Sequence, residues 1–222
     1  MPFGRLFRRL TSKPSTVGAV FFDVGGVIVH STMEQYVAAG CQYFGCSPTD
    51  LGQEISDGIG ALETGKLDSE TFWRNIGASL ERKGKGHPAP PETCRDLWTS
   101  LFQATARLDK KVINLCLELD RNRLAVGVLS NTIEDHVELV HKLGGYQNFK
   151  PILLSCKLGH RKPDPKIYQF ACQKVMLPPQ QCLLVDDNKE NCEGAMAVGM
   201  QAILYTGYAQ LLEDLQRLGV TG

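Results

Sequence analysis

The sequence predicts an α/β protein with a doubly wound parallel sheet and a helical cap inserted after the first strand. Five short apolar runs each end in small or polar residues, and amphipathic stretches separate most of them. Uninterrupted apolar runs of this length are typical of strands buried on both faces, as in a parallel sheet. Residues 33–108 lack this alternation of apolar runs and amphipathic stretches, which indicates that they form the inserted cap. The alternation of strands and helices elsewhere predicts a Rossmann-like core.

The first strand is predicted at Gly18–Asp23, where the apolar run ends in an aspartate and a glycine-rich turn follows. Four further runs share its character, since each is apolar inside and bounded by turn residues. They are Leu124–Ser130, Pro151–Ser155, Cys182–Asp186 and Gln201–Tyr205. Each has the length of an ordinary strand.

The predicted helices of the core carry apolar side chains on one face. Pro165–Val175 begins with proline, which suits a first helical turn because an N–H there would lack a helical partner. Glu190–Val198 is followed by Gly199, a common residue just past a helix end. The other two predicted helices are Asp109–Asp120 and Ile133–Leu143.

The insertion contains the amphipathic stretches Met33–Phe44 and Glu70–Arg82 and no good buried strand. The loop Lys83–Pro91 separates two helical parts. We therefore predict a helical cap between the first strand and the rest of the sheet. The predicted organisation is a basic N-terminal arm at residues 1–17, a catalytic core at 18–32 and 109–222, and a cap at 33–108.

The composition excludes several classes of protein. The chain has 222 residues with 24 basic and 24 acidic side chains, so no net charge attracts nucleic acid or an anionic membrane. No run of about 18 apolar residues is present, which argues against a transmembrane helix. An apolar content of 43% argues against extensive disorder. The basic N-terminal residues fit either a solvated arm or a short targeting peptide.

The eight cysteines indicate reduced thiols rather than a disulfide framework, because such frameworks belong to shorter, cysteine-dense chains. No Cys/His cluster has the spacing of a zinc site. We therefore expect a cytoplasmic protein whose thiols are mostly small buried apolar groups. The sequence leaves the oligomeric state open.

Polar residues stand at the carboxyl ends of three predicted strands, the edge at which open α/β sheets bind ligands. The first strand ends in Asp23, the second in Ser130 and Asn131, and the fourth in Asp186 and Asp187. Three carboxylates at one edge repel one another unless a cation lies between them, and hard oxygen ligands suit Mg²⁺. The sequence therefore predicts a magnesium site.

Each of these groups has a chemical use at a phosphate. Asp23, on a glycine turn, can attack phosphorus in line and form an aspartyl-phosphate. Backbone N–H groups of that turn, including Gly26, can hold phosphoryl oxygens, and Ser130 and Asn131 can donate to the same oxygens. A lysine in the loop Gly159–Pro165 supplies positive charge. Singly, such residues are more often caps, turns or surface groups, so the prediction depends on their joint order.

That order resembles the haloacid dehalogenase-like hydrolase superfamily over about residues 18–206. The insertion resembles the cap of the subgroup that contains sugar-phosphate phosphatases and haloacid dehalogenases, partly through Ala61–Leu67 followed by Phe72 and Trp73. The four superfamily motifs correspond to Phe21–Val27, Val128–Asn131, Leu158–Tyr168 and Leu184–Met200.

The resemblance implies a role for each motif residue. Asp23 stands in the nucleophile position and Ser130 in the phosphate-binding position. Lys162 stands in the position of the motif lysine, and Asp186 and Asp187 are the acids of the metal site. The implied activity is Mg²⁺-dependent hydrolysis of a small phosphorylated metabolite.

One position departs from the superfamily pattern. Its phosphatases usually carry a second aspartate two residues after the nucleophile, where this chain has Gly25. The backbone carbonyl of Gly25 can still bind the metal, but no side chain there protonates the leaving group, a loss of about 10²–10⁴-fold in rate. We therefore expect a preference for good leaving groups, such as acyl phosphates, aryl phosphates or sugar 1-phosphates. His30 and Glu34, next along the chain, are candidates to replace the missing acid.

Two alternatives to the phosphatase stay open from the sequence. A weakly active or non-enzymatic binding or regulatory protein is compatible with Gly25. A haloacid dehalogenase is disfavoured by the paired acids Asp186 and Asp187, which dehalogenases of the superfamily lack. Four residues of the insertion are candidates to face the substrate, although a tryptophan in an amphipathic helix is more often core. They are Trp73, Arg74, His87 and Trp98.

Overall fold

A computed structural model describes residues 17–31 and 33–220, without the side chains of Met33 and Glu34. The predicted basic arm at residues 1–17 lies outside these ranges, apart from Val17. Among the described helices, none combines the length and the apolar character needed to cross a membrane.

After residue 106 the described strands and helices alternate, except that two helices follow β5. A single 3₁₀ turn, Pro179–Gln181, precedes β6. In chain order the elements are β1 (Ala19–Phe22), β2 (Val29–His30), α1 (Met33–Phe44), α2 (Pro48–Glu63), α3 (Ser69–Arg82), α4 (Pro91–Thr105), β3 (Arg107–Leu108), α5 (Lys110–Arg121), β4 (Ala125–Ser130), α6 (Glu134–Leu143), β5 (Ile152–Leu154), α7 (Ser155–Leu158), α8 (Pro165–Val175), β6 (Cys182–Asp186), α9 (Lys189–Ala197), β7 (Gln201–Leu204) and α10 (Tyr208–Arg217).

The central sheet has five parallel strands in the spatial order β5-β4-β1-β6-β7. The chain therefore winds from β1 to one side through β4 and β5, and then to the other side through β6 and β7. This is the doubly wound arrangement, and its order reverses beside β1, where such sheets form a ligand-binding crevice. The predicted fold class is confirmed, and all five predicted strands are present.

The register of the sheet brings two aspartates together at that crevice. Phe22 at the end of β1 lies opposite Val185 of β6, so the next residues, Asp23 and Asp186, are neighbours. The backbone N–H of Asp23 extends the ladder by donating to the Val185 carbonyl at 2.9 Å. On its other side β1 pairs with β4, and Phe22 lies opposite Val128.

Helices cover both faces of the sheet because β1 is apolar on both. Val20 and Phe22 pack into the core layer beneath α5 and α10. Phe21, which points the other way, packs into the layer beneath α8 and α9. The alternation of side chains along a strand explains why the first run is apolar without a break.

The helices α1 to α4 form a separate layer, which we call the four-helix segment. It has its own apolar core, in which Phe44, Leu51, Phe72 and Trp73 are buried. The chain enters and leaves this segment through β2 and β3, which pair antiparallel with Val29 opposite Leu108. The division into a core and a cap at residues 33 and 108 stays a prediction.

The cysteines form no disulfide, and five of the eight are buried. The buried ones pack among apolar side chains, such as Cys116 in the layer under α5 and Cys172 in the layer under α8. Their thiols therefore serve as small apolar groups in the core, as the sequence indicated.

Candidate active site

Asp23 occupies the turn directly after β1 and is 8% exposed. Its Oδ1 accepts the N–H of Val24 at 2.7 Å and lies 3.0 Å from Nζ of Lys162. Burial raises the pKa of Asp23 to about 6; Lys162 opposes this rise and the charge of Asp186 adds to it. With Oδ1 held by two donors, Oδ2 is the oxygen of this carboxylate that is available for chemistry.

Lys162 is completely buried, and its ammonium group is fully paired. Nζ donates to the carbonyl of Leu129 at 2.8 Å and to Oδ2 of Asp186 at 2.5 Å, and its third partner is Asp23. Burial alone lowers the pKa of Lys162, but the charges of Asp23 and Asp186 outweigh it and leave the pKa raised. The site therefore contains a permanent positive charge between two carboxylates.

Asn131 fixes the position of that lysine. Its Nδ2 donates to the Lys162 carbonyl at 2.9 Å, and its Oδ1 accepts the Lys162 N–H at 2.8 Å. The side chain thus forms hydrogen bonds with both the N–H and the carbonyl of the lysine. The sequence did not predict this positioning role. This side chain is therefore already engaged, and the contact of Asn131 with a phosphate stays a prediction.

Ser130 ends β4 and is 2% exposed. Its Oγ donates to the carbonyl of Asn131 at 3.3 Å, a long hydrogen bond that a better acceptor can replace. Ser130 also lines the cavity described below. The hydroxyl therefore lies beside the cavity, and its contact with a phosphate stays a prediction.

Gly26 makes room for the carboxylate of Asp187. Its φ is +72°, and a Cβ built on it would lie 1.9 Å from Oδ2 of Asp187, so no larger residue fits without moving that carboxylate. The N–H of Gly26 donates to the carbonyl of Val29 at 3.0 Å. We predicted that this N–H would hold a phosphoryl oxygen, whereas the structure engages it inside the turn.

Asp186 is completely buried and saturated with donors. Its Oδ1 accepts the N–H of Asn188 at 2.9 Å and Nδ2 of Asn191 at 3.0 Å, while Oδ2 accepts from Lys162. Asn191 lies in the first turn of α9, five residues after Asp186. Sequence reasoning missed this side chain, and the only available signal was its position at the start of a helix that follows a strand-end acid.

Asp23, Asp186 and Asp187 each place a carboxylate oxygen within 4.8 Å of the others. Burial raises the pKa of Asp187, and the charge of Asp186 raises it further. Three acids balanced by one lysine leave an excess of negative charge at this edge of the sheet. A hard divalent cation such as Mg²⁺ fits this all-oxygen donor set.

A cavity of about 230 Å³ adjoins the turn after β1 and the end of β4. Val24, Gly25 and Ser130 line it on the side of the sheet, and the four-helix segment lines it from the opposite side. Gly25 is exposed and has a backbone φ outside the left-handed region, and a Cβ added there would meet no atom within 4 Å. The missing acid of the superfamily pattern therefore corresponds to open space at the cavity.

Glu63, the last residue of α2, links the four-helix segment to the lysine loop. Its Oε2 lies 2.8 Å from Nε of Arg161, the residue before Lys162. Burial raises the pKa of Glu63 even though Arg161 and Lys162 oppose the shift. Sequence reasoning missed this pair because its members are far apart in the chain, although both lie in stretches that resemble the superfamily.

The remaining candidates are spread over the fold. His30 is exposed, with Nε2 3.4 Å from Asp109, and the side chain of Glu34 lies outside the described part of the chain. Trp73 is buried in the four-helix segment, whereas Trp98 lines the cavity.

The other two candidates from the insertion lie at the surface. The guanidinium group of Arg74 pairs with Glu70 on the same helix, at 2.5 Å. The ring of His87 is exposed, and its Nδ1 lies 3.2 Å from the carbonyl of Pro88. These contacts show no role at the cavity for either residue.

Known proteins resemble this chain in both sequence and fold. The sesquiterpene phosphatase astK of Aspergillus oryzae is 26% identical over 208 residues, 92% of this chain and 97% of the relative. The bifunctional epoxide hydrolase 2 of Rattus norvegicus is 28% identical over 134 residues; the match covers 58% of this chain and only 22% of that longer protein.

A solved structure has the same fold. It is the HAD family enzyme bt-2542 of Bacteroides thetaiotaomicron, in complex with magnesium and inorganic phosphate. The TM-score is 0.65 at 23% identity, and the match covers 87% of this chain and 95% of that one.

A family model described as haloacid dehalogenase-like hydrolase matches residues 17–199. The match spans most of the chain and includes the first three motifs and all but the last residue of the fourth. On this evidence of sequence, with the doubly wound fold in agreement, the chain belongs to the haloacid dehalogenase-like hydrolases.

Proposed function

We propose that the protein is a Mg²⁺-dependent phosphatase that hydrolyses a small phosphorylated metabolite through an aspartyl-phosphate on Asp23. The observation that carries the proposal is the cluster of three carboxylates, within 4.8 Å of one another, around a buried and fully paired lysine. Two similarities support it: the match to a protein named as a phosphatase spans nearly the whole of that protein, and a similar fold has been solved with magnesium and phosphate.

The geometry of Asp23 supports nucleophilic attack by Oδ2, since Oδ1 is held by Val24 and Lys162. In the first step the Oδ2–P bond forms, and the bond from phosphorus to the leaving oxygen breaks with its electron pair on that oxygen. In the second step water attacks phosphorus, the Oδ2–P bond breaks and the carboxylate returns. We assign Ser130 Oγ to a phosphoryl oxygen, and the charge of Lys162 offsets the negative charge that gathers at the site.

The metal would be held by Asp23, Asp187 and the carbonyl of Gly25, with Asp186 close by. When bound, Mg²⁺ supplies positive charge that stabilises a phosphoryl group during transfer. Asp187 is the freer of the paired acids, because both oxygens of Asp186 already accept hydrogen bonds from the protein.

A second candidate function rests on Gly25. A chain without a side-chain acid at this position can retain the phosphate and metal sites while turning over slowly, and then act as a binding or regulatory protein. The discriminating experiment measures hydrolysis of acetyl phosphate and p-nitrophenyl phosphate by purified protein with Mg²⁺ and with EDTA. Turnover that requires Mg²⁺ supports the phosphatase, and none with either substrate supports the binding protein.

Substitutions of the two adjacent acids, Asp186 and Asp187, are expected to have different effects. Asp187→Asn should raise the Mg²⁺ concentration for half-maximal activity at least about tenfold, because it removes a charged ligand, with little change in melting temperature. Asp186→Asn should also lower the stability, because it leaves Lys162 without its closest charged partner; breaking a buried pair costs about 3–5 kcal/mol. Metal titrations and thermal unfolding of both variants test this.

The exposed Asp96 offers a matched control, Asp96→Asn, which should change neither quantity. If the Mg²⁺ titration is unchanged in both Asp186→Asn and Asp187→Asn, the two acids only form a turn and bind no metal, which would contradict the proposed metal site.

A further inference from the structure

The wall that the four-helix segment contributes to the cavity is mostly apolar, with Glu63 as its charged member. Ile55 and Ile59 stand four residues apart on α2, and Trp98 and Phe102 stand four residues apart on α4. Residues at this spacing share one face of a helix. Each of the two helices therefore presents a continuous apolar face to the space beside the candidate nucleophile.

The wall from α6 has the same character. Ile133 and Val140 line the cavity together with His136, whose ring stacks on Phe102 with centroids 4.3 Å apart and planes 19° apart. Burial lowers the pKa of His136 to about 4, so the imidazole is neutral near pH 7. The histidine thus extends the aromatic surface and adds no charge to it.

The charged and amide side chains in the wall are engaged with the protein, and the ring nitrogens Nε1 of Trp98 and Nε2 of His136 are buried in the wall without a hydrogen-bond partner among the described residues. Glu63 pairs with Arg161, and the side chain of Asn131 holds the backbone of Lys162. A leaving group rich in hydroxyls would lose its hydrogen bonds to water here and gain few in return, which opposes binding. An apolar leaving group loses nothing of that kind.

The volume of the cavity limits the size of the leaving group that it can hold. A protein cavity of about 150 Å³ accepts a single benzene ring. A volume of about 230 Å³ is half as large again, which suits a fused two-ring system. Ser130 and the apolar helix faces line the same cavity, so a phosphate beside the hydroxyl and a ring against the helices can be bound at once.

We propose that the substrate of this site is a phosphate monoester whose leaving group is an apolar aromatic system of about two rings. The proposal rests on the phosphatase function and narrows its substrate class. It also agrees with Gly25, since aryl oxygens leave without the proton that an acid at that position would provide.

Kinetics on matched esters test the substrate class. Phenyl and 2-naphthyl phosphate release phenols of closely similar acidity, so the ratio of their kcat/KM values reports contact with the second ring. The second ring adds four carbons, and at ~0.8 kcal/mol for each, burial of two to four of them favours 2-naphthyl phosphate by roughly 10- to 200-fold. A ratio near one, or a higher kcat/KM for glucose 1-phosphate, would overturn the proposal.

Substitutions in the wall test the assignment to this cavity. Ile59→Asn should reduce the naphthyl-to-phenyl ratio at least about fivefold, chiefly through a higher KM for the naphthyl ester, because it places an amide on the apolar face. Ile55→Asn should act in the same direction if Ile59→Asn does not fold. The matched control is Ile152→Asn in β5, where the side chain is 42% exposed and outside the cavity. An unchanged ratio in a folded wall variant would place the ring elsewhere.

A binding measurement separates this proposal from the phosphatase function. The non-hydrolysable probes are benzylphosphonate and 2-naphthylmethylphosphonate, titrated calorimetrically into the wild-type protein with Mg²⁺. We expect the naphthyl probe to bind roughly 10- to 200-fold more tightly. Equal affinities would overturn the substrate class even if esters are hydrolysed. Selective binding without turnover of any ester would instead contradict the phosphatase function alone.

Discussion

Asp23→Asn is expected to lower phosphatase turnover by about 10³-fold or more while the protein stays folded. An amide oxygen is a poor nucleophile toward phosphorus, so the aspartyl-phosphate does not form. The fold should tolerate the change because the amide oxygen can still accept from Val24 and Lys162. Turnover of p-nitrophenyl phosphate with Mg²⁺ is the measurement, and more than a few per cent of wild-type turnover would contradict the assignment.

The same variant should be at least as stable as the wild type above pH 6 in EDTA. Burial raises the pKa of Asp23 from 3.8 to about 6, so the charged form costs the folded state up to about 3 kcal/mol. That cost is fully present above the folded-state pKa and disappears as pH falls towards the unfolded value. The advantage of Asp23→Asn in melting temperature should therefore shrink between pH 6 and pH 4. A constant difference across this range would contradict the raised pKa.

Gly25→Asp is expected to increase turnover of phosphates of ordinary alcohols by about 10²-fold or more. It restores an acid that protonates the leaving oxygen and a base that activates water. Steric strain does not oppose the change, because Gly25 lies outside the left-handed region and its Cβ would meet nothing within 4 Å. The gain should be smallest for aryl and acyl phosphates, which leave without help.

A series of esters with graded leaving-group acidity, measured on wild type and Gly25→Asp, tests this. The wild-type rate should rise with the acidity of the leaving group, and aspartyl-phosphate should accumulate on Asp23 because the attacking water lacks a base. Gly25→Asn is the matched control, since it has the same shape without the acid. A flat wild-type series would show that another residue is the acid, and His30 and Glu34 would be the first to replace.

The strands of the core could be predicted from the sequence because burial on both faces leaves an unambiguous pattern. Pro165–Val175 was predicted at its observed bounds, since proline marks its start, and in the structure the side chain of Asp164 caps it. By contrast, α2 was not singled out, because Gly52, Gly58 and Gly60 weaken its helical pattern. The two-residue strands β2 and β3 are too short to produce any periodicity, and α10 was also missed.

The candidate site was predictable only in part. The strand ends identified the residues that would meet, since parallel strands end at one edge of the sheet. The contacts of each residue depend on how the loops fold. The hydrogen bonds of Asn131 to the Lys162 backbone, and of the Gly26 N–H to the Val29 carbonyl, could therefore not be predicted from the sequence. The apolar cavity was missed for a similar reason, because its lining comes from several helices that are distant in the chain.

The pairing of β2 with β3 has a consequence for how such an enzyme can evolve. Val29 lies opposite Leu108, so the chain departs for the four-helix segment and returns at neighbouring points. An excursion whose ends meet can be lengthened, shortened or exchanged without moving the strands that carry Asp23, Ser130 and Asp186. The residues of α2 and α4 that are proposed to select the leaving group can thus vary independently of the residues that are proposed to break the phosphate bond. Mutations in the segment can therefore change the substrate range while the chemistry persists.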